Sequence, residues 1–279
     1  MKFLITGLRG FTGRYVKTEL ENWGHEVCGL ACNLLDVERL EAEIQTTSID
    51  AVIHLAGIAL VSHMNVQELY QTNIIGTRNL LAALDRHAPE VRAVVLASSA
   101  NVYGNQAGCL CEEVLPAPCN DYAVSKLAME YMAKTWLDRL PIRLVRPFNY
   151  TGVGQSERFI VPKIVSHFKD KMPVIELGNI NVSRDFSDVR DVALAYRLIA
   201  EKGRSGEVYN VCSGKAVSVR EILSLCEAIS GWKVKVNVNP LFVRNNEVSH
   251  LLGDGAKLLK ETGFTPHRTI RKLLTEMLA

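Results

Sequence analysis

Through the first 150 residues, short apolar runs alternate with longer stretches whose apolar side chains recur every three or four positions. The runs Phe3–Thr6, Glu26–Leu30, Ala51–Leu55, Ala93–Ser98 and Ile142–Arg146 predict strands, and they are apolar nearly throughout rather than alternating. Between them, Thr12–Trp23 places Val16, Leu20 and Trp23 on one helical face, and Val37–Thr46 follows Asp36, a natural N-cap. Unbroken apolar strands separated by helices predict a parallel sheet covered on both faces. Right-handed crossovers then give an α/β, doubly wound arrangement. Beyond residue 150, Gly152, Gly154, Pro162, Pro173, Gly178, Gly214, Pro240 and Pro266 break the chain into shorter elements, with one return to the sheet near Val208–Val211. We therefore expect a Rossmann-type domain over residues 1–150, rejoined by 187–212. A smaller α/β substrate-binding domain should comprise 151–186 and 213–279.

Composition narrows the function classes. A net charge of +2 with no block of like charge argues against a nucleic-acid surface. The first strand begins almost at once, with no basic segment and apolar run of a leader peptide ahead of it, and no apolar stretch reaches bilayer length. A cytoplasmic protein without a membrane partner is expected. The seven cysteines (28, 32, 109, 111, 119, 212 and 226) are odd in number and lack framework spacing, which fits reduced thiols. Cys109, Cys111 and Cys119 lie close in sequence, but without CxxC spacing or a nearby histidine no metal site is expected.

Thr6-Gly7-Leu8-Arg9-Gly10-Phe11-Thr12-Gly13 joins the first strand to the first helix. Glycines there let the backbone approach a pyrophosphate, and the helix N-terminus supplies amide donors. The spacing is G-x-x-G-x-x-G. The second strand ends in Ala31-Cys32-Asn33, without the carboxylate that would bind an adenosine ribose, and Asp36 is already explained as a cap. Arg9, inside the loop, could pair with a 2′-phosphate, so NADPH is favoured over NADH.

Tyr122 and Lys126 stand four residues apart on one helical face, where an ammonium would favour the phenolate and lower the phenol pKa. Ser99 ends the preceding apolar strand, at the sheet edge where ligands of such folds bind. Each feature alone is commonly structural; together they suggest a catalytic trio.

With His54-Leu55-Ala56-Gly57, Asn73-Ile-Ile-Gly76-Thr77, Ser98-Ser99-Ala-Asn-Val-Tyr103-Gly104 and Arg146-Pro147-Phe148-Asn149 added, the chain resembles the extended short-chain dehydrogenases that act on nucleotide sugars. The resemblance implies that Gly7, Arg9, Gly10, Phe11, Thr12, Gly13, Asn33, Leu34, Leu55, Ala56, Gly57, Asn73, Ala97, Ser98, Tyr122, Lys126 and Pro147 surround the dinucleotide. The second half, through Phe148-Asn149, Val182–Asp191, Val208–Gly214 and Arg244–Val248, is most similar to the GDP-sugar branch, in particular its 4-keto-6-deoxy-mannose reductases. By that resemblance Arg184 and Arg244 would hold the diphosphate and Glu247 the nucleotide ribose. Asn149 and Lys163 would touch the nucleotide, and Ser99 and Asn101 the sugar. The implied reaction is reduction of a GDP-linked 4-keto-6-deoxy sugar to GDP-rhamnose or GDP-6-deoxy-talose.

Family dehydratases place acidic residues directly after the catalytic Ser or Thr; Ala100 and Asn101 stand there instead. A 4-epimerase with tightly bound NAD, and a non-catalytic dinucleotide-binding protein, are the alternatives. Tyr150 and Val153 replace a usual histidine and proline, and the second strand reaches the third through a short link, as though one of the family's helices were missing. Val66–His87 and the Tyr122 helix, with Leu127, Met129 and Trp136, suggest the faces of a homodimer.

Overall fold

The computed structural model describes residues 1–59, 65–242 and 248–279. The first half runs β1 (Lys2–Thr6), α1 (Phe11–Asn22), β2 (Glu26–Gly29), α2 (Val37–Thr46), β3 (Ala51–His54) and α3 (Val66–Tyr70). A π-turn (Gln71–Gly76) leads from α3 into α4 (Thr77–His87). There follow β4 (Ala93–Ala97), a 3-10 turn (Ala100–Tyr103), β5 (Cys109–Leu110), α5 (Asp121–Lys134), β6 (Ile142–Pro147) and β7 (Asn149–Thr151). The remainder comprises α6 (Ile160–Lys169), β8 (Val174–Leu177), β9 (Ser183–Asp188), α7 (Val189–Lys202) and β10 (Val208–Val211). It ends with β11 (Ala216–Ser218), α8 (Val219–Ser230), β12 (Lys235–Val238), β13 (His250–Gly253), α9 (Ala256–Thr262) and α10 (Ile270–Leu278).

Six strands form one sheet in the order β10-β6-β4-β3-β1-β2, every pairing parallel. Alternate residues of the same strand feed opposite cores. Phe3 and Ile5 of β1, Ala51 and Ile53 of β3, and Val95 of β4 pack under α1 and α7. Leu4, Val52, Val94 and Leu96 pack instead under α2, α4 and α5. Both faces are covered, so neither set of positions can be polar, which is why these strands read as continuous apolar runs. Between β2 and β3 stands the expected α2, begun by Asp36, whose carboxylate accepts from Arg39 N at 3.3 Å, and β2 is left as the sheet's edge strand.

Met129 and Trp136 correct the expectation that they form an outer, pairing face. Both lie in the core beneath the sheet, at 1% and 8% exposure, because α5 turns that stripe inward against Leu144 and Ile142. Leu127 packs partly buried against the cluster around Tyr103 and Phe148. The apolar side chains that α5 and the π-turn do expose are Val124, Tyr131 and Ile75.

A second sheet, β11-β9-β13-β5, mixes directions and carries β7 on β9; β8 and β12 pair separately. Helices α6, α8 and α10 enclose a third core of Val161, Ile164, Phe168, Ile222, Cys226 and Leu274. Asp185, fully buried on β9, stitches the second sheet to the first. Its oxygens accept from Ser213 N (2.7 Å), Ser213 Oγ (2.6 Å), Gly214 N (2.9 Å) and Gly253 N (3.4 Å). Burial raises its pKa, and these donors act against that rise. Among the described residues no helix is long and apolar enough to cross a membrane.

Removing the Asp185 carboxylate strands those donors in a buried site, a loss on the order of 3 kcal/mol. Asp185→Ala should therefore lower the urea midpoint strongly. Glu227→Ala, at the surface, should stay within about 0.5 kcal/mol of the parent. Equal midpoints for the two variants would contradict this role.

Candidate active site

In a parallel sheet every βα turn lies at the same edge, so the segments after β1, β3, β4 and β6 converge there. At β1, Gly7 adopts φ +73° with its Cα against Leu55 and Ala56, where a Cβ would lie 2.9 Å from Ala56 N. A Cβ on Gly13 would sit 2.4 Å from the Gly7 carbonyl oxygen. Gly10 is the N-cap of α1 and offers no side-chain acceptor, so the first-turn amides of Phe11, Thr12 and Gly13 are left facing the turn. An uncapped helix end behind a close-packed glycine turn fits a pyrophosphate. Arg9 and Gly10 are exposed.

A carboxylate from α2 closes the turn after β2. Glu43 accepts from Ala31 N (2.8 Å) and Cys32 N (3.1 Å). These bonds and one from the Cys32 thiol hold its pKa down against the effect of burial. Glu43 carries no motif, and only the helical register of α2 could have pointed to it. Beyond it Asn33 is exposed, with Oδ1 accepting from Leu35 N at 3.0 Å, while Leu34 is buried against Gly76.

At the centre of the edge stand Ser99, Tyr122 and Lys126, all buried. Asn120 caps α5 by accepting from Ala123 N at 2.9 Å, which starts the helix one residue before Tyr122. Ser99 Oγ accepts from Asn101 N (3.2 Å) and Asn101 Nδ2 (3.0 Å). Burial pushes the Tyr122 phenol up to about 12; the Ser99 hydroxyl opposes the rise and nearby Tyr150 adds to it. The expected lowering by Lys126 does not occur in this arrangement. Lys126 Nζ donates instead to the Ala97 carbonyl at 2.8 Å, and desolvation governs the phenol. Burial likewise lowers the Lys126 ammonium to about 8, with Glu130 acting in the opposite direction.

Asn73 reaches this centre because the π-turn swings it inward. Its Oδ1 accepts from Ile58 N (2.8 Å), and its Nδ2 donates to Ile58 O (3.2 Å) and Ser125 Oγ (3.0 Å). Asn73 thus ties the segment after β3 to α5. Gly57 lies against it, since a Cβ there would be 2.9 Å from Asn73 Oδ1 and 3.3 Å from Lys126 Nζ. Behind it runs a buried chain with one consistent set of protons. Thr77 Oγ1 donates to Asn73 O (2.8 Å), so it must accept from His54 Nε2 (2.9 Å). His54 Nδ1 then accepts from Thr6 Oγ1 (2.6 Å), which itself accepts from Ala56 N (3.1 Å). Burial, and secondarily Lys126, hold the His54 pKa down near 3, so the ring is neutral as this pattern requires.

At the other end of the edge, Tyr150 bonds Thr12 Oγ1 at 2.9 Å and stacks on Phe11. Asn149, on β7, pairs with Phe186 of β9. Arg184, also on β9, donates to Ser183 O at 2.9 Å. Asp188 caps α7 and pairs with Arg190. Lys163 donates to the Glu176 carbonyl at 2.7 Å and lies 5.0 Å above the Phe242 ring. Arg244 and Glu247 lie outside the described residues. Ala97 and Pro147 end β4 and β6, Ser98 follows β4, and Leu55 and Ala56 follow β3 at the same edge.

Comparison with known proteins identifies the family. Residues 3–212 match the NAD dependent epimerase/dehydratase family, and the chain belongs to it. It is 36% identical to GDP-6-deoxy-D-talose 4-dehydrogenase of Aggregatibacter actinomycetemcomitans, over 99% of this chain and 97% of that one. It is 33% identical to GDP-6-deoxy-D-mannose reductase of Pseudomonas aeruginosa, over 100% and 96%. Among solved structures, a protein of Burkholderia cenocepacia provisionally classed as an epimerase superposes with a TM-score of 0.94 at 47% identity, covering 99% and 96%. RMD of P. aeruginosa complexed with NADPH superposes with a TM-score of 0.92 at 33% identity, covering 99% and 97%.

Because the Gly13 contact is with backbone, Gly13→Ala must shift the turn. Affinity for NAD(P)H, measured by cofactor fluorescence, should fall at least about tenfold, or ~1.4 kcal/mol. An unchanged affinity would separate the turn from cofactor binding.

Proposed function

We propose that the protein is an NAD(P)H-dependent reductase of a GDP-linked 4-keto-6-deoxy sugar. The observation that carries the reading is the convergence of Ser99, Tyr122 and Lys126, all buried at the sheet edge where the uncapped α1 turn also lies. The names of the two curated relatives support the substrate class. Gly7–Gly13, Leu55–Gly57 and the α5 edge would hold the nicotinamide cofactor, which when bound would supply hydride to the ketone carbon. Ser99 orients the carbonyl, and Tyr122, a phenol at neutral pH, gives its proton to O4. The Ser99 hydroxyl favours the phenolate left behind. Lys126, as the ammonium, would hold the nicotinamide ribose.

Arg9, exposed inside the phosphate turn, would meet a 2′-phosphate, which favours NADPH over NADH. Arg184 with Arg244 would hold the diphosphate, Glu247 the nucleotide ribose, and Asn149 and Lys163 the nucleotide. Residues 151–186 and 213–279 would form the substrate-binding part. The exposed Ile75, Val124 and Tyr131 are the surface through which we expect two copies to pair. The seven thiols suit a reducing cytoplasm. A second reading, a 4-epimerase with bound NAD, is favoured by the likeness to the Burkholderia structure. It would purify with NAD in place and consume none.

Purified protein should oxidise NADPH rapidly with GDP-4-keto-6-deoxy-mannose, and more slowly with NADH or a dTDP-linked ketone. No oxidation with any pair, alongside tightly held NAD, would favour the epimerase. Tyr122→Phe should lose about 10²–10⁴ in kcat while still binding NADPH; parent-like turnover would remove Tyr122 from the mechanism. Because the ammonium of Lys126 is needed and its pKa lies at about 8, kcat should decline as pH rises through that value. A flat profile up to about pH 10, near the ordinary lysine value, would contradict that assignment.

A further inference from the structure

On the inner stripe of α5, Tyr122 and Lys126 are followed one turn later by Glu130, a carboxylate at 1% exposure. Arg146 of β6, at 4% exposure, grips it bidentately, Nε to Oε1 at 2.9 Å and Nη2 to Oε2 at 2.7 Å. The same Oε1 accepts from Ser98 Oγ at 2.5 Å. Arg146 Nη1 donates to the Tyr103 hydroxyl at 3.1 Å, and that hydroxyl donates to Asn210 Oδ1 of β10 at 2.8 Å. One carboxylate thus joins α5, β6 and the end of β4 immediately before Ser99.

A buried pair of this kind is poor evidence of stability, because well-packed apolar residues often serve as well or better. Its position suggests another reason for it. We propose that Glu130 is a positioning residue for the Ser99–Tyr122–Lys126 trio: through Ser98 it fixes the strand end that carries Ser99, and from four residues along the same stripe of α5 its charge offsets the burial of Lys126.

The surroundings of Lys126 make that charge count. Lys126 bonds the Ala97 carbonyl after β4, and around it stand neutral His54 of β3, the Asn73 amide of the π-turn, which shares the Gly57 neighbourhood, and, one turn back on α5, the neutral Tyr122 phenol. Arg146 of β6 is bound to Glu130 itself. Glu130 is the charged group that acts to keep the lysine protonated against burial.

The kinetic part of the test rests on the reductase reading, so a substrate-free measurement accompanies it. Protein labelled at lysine Cε is titrated by NMR, with the Lys126 signal assigned by its loss in Lys126→Arg. In Glu130→Gln, and in Glu130→Gln/Arg146→Met where Arg146 is not left without its partner, Lys126 should titrate lower by about one pH unit or more. With the keto sugar, the alkaline limb of kcat should move down by the same amount, with KM little changed. Ser98→Ala, which keeps the charge, should lower kcat without moving the limb. A folded double variant whose Lys126 titrates as in the parent would overturn the proposal, as would a uniform loss of kcat with an unmoved limb. A Lys126 shift in a protein that reduces no keto sugar would sink the reductase reading and leave the positioning role standing.

Discussion

The structure depends on holding a strand end and a helix face at one fixed separation, although no covalent link shorter than twenty residues joins Ser99 to Tyr122. Apolar packing of α5 on the sheet sets the distance, with Met129 and Ala133 against Leu144. Packing alone, however, tolerates rotation of a helix about its axis. Polar bonds at two heights along α5 remove that freedom. Ser125 accepts from Asn73 near the catalytic end, and Glu130 takes Ser98 and Arg146 one turn further in. Buried polar groups of this kind must be fully satisfied to be tolerated, and once satisfied they admit few alternative arrangements.

The same logic extends across the sheet. The chain Thr6–His54–Thr77–Asn73 connects the glycine turn after β1 to the π-turn that presents Asn73, with each hydroxyl proton assigned. The phosphate end and the catalytic end are therefore not independent loops resting on a scaffold. They share a single hydrogen-bonded underside, while the dinucleotide-facing side keeps its donors available. Tyr150 adds a third connection, from the segment after β6 back to Thr12 at the start of α1. A phenol reaches that hydroxyl at 2.9 Å while its ring lies along Phe11.

Much of this was legible in the sequence, for identifiable reasons. Strands buried on both faces announce themselves as unbroken apolar runs, and β10 falls where Val208–Val211 indicated. Helix α2 begins at the Asp36 cap and ends at Thr46 as the periodicity predicts. The trio converges because two motifs at one edge of a parallel sheet have nowhere else to go. What stayed hidden depends on side-chain direction. An apolar stripe does not say which way it faces, so Met129 and Trp136 read as surface and are core. A π-turn has no sequence signature, and Glu43 reaches the end of β2 from a different element. The position of the Lys126 ammonium, turned to the Ala97 carbonyl, required coordinates. Glu130 and Arg146 did leave a trace, as charged residues within otherwise buried patterns, and such residues are rarely left without a partner.

Transfer of a labelled hydride tests the account most directly. With NADPH deuterated at nicotinamide C4 and GDP-4-keto-6-deoxy-mannose, deuterium should appear bound to sugar C4 in a single product, whose configuration is read by NMR. A product without carbon-bound deuterium, or with the label at another carbon, would contradict reduction at C4.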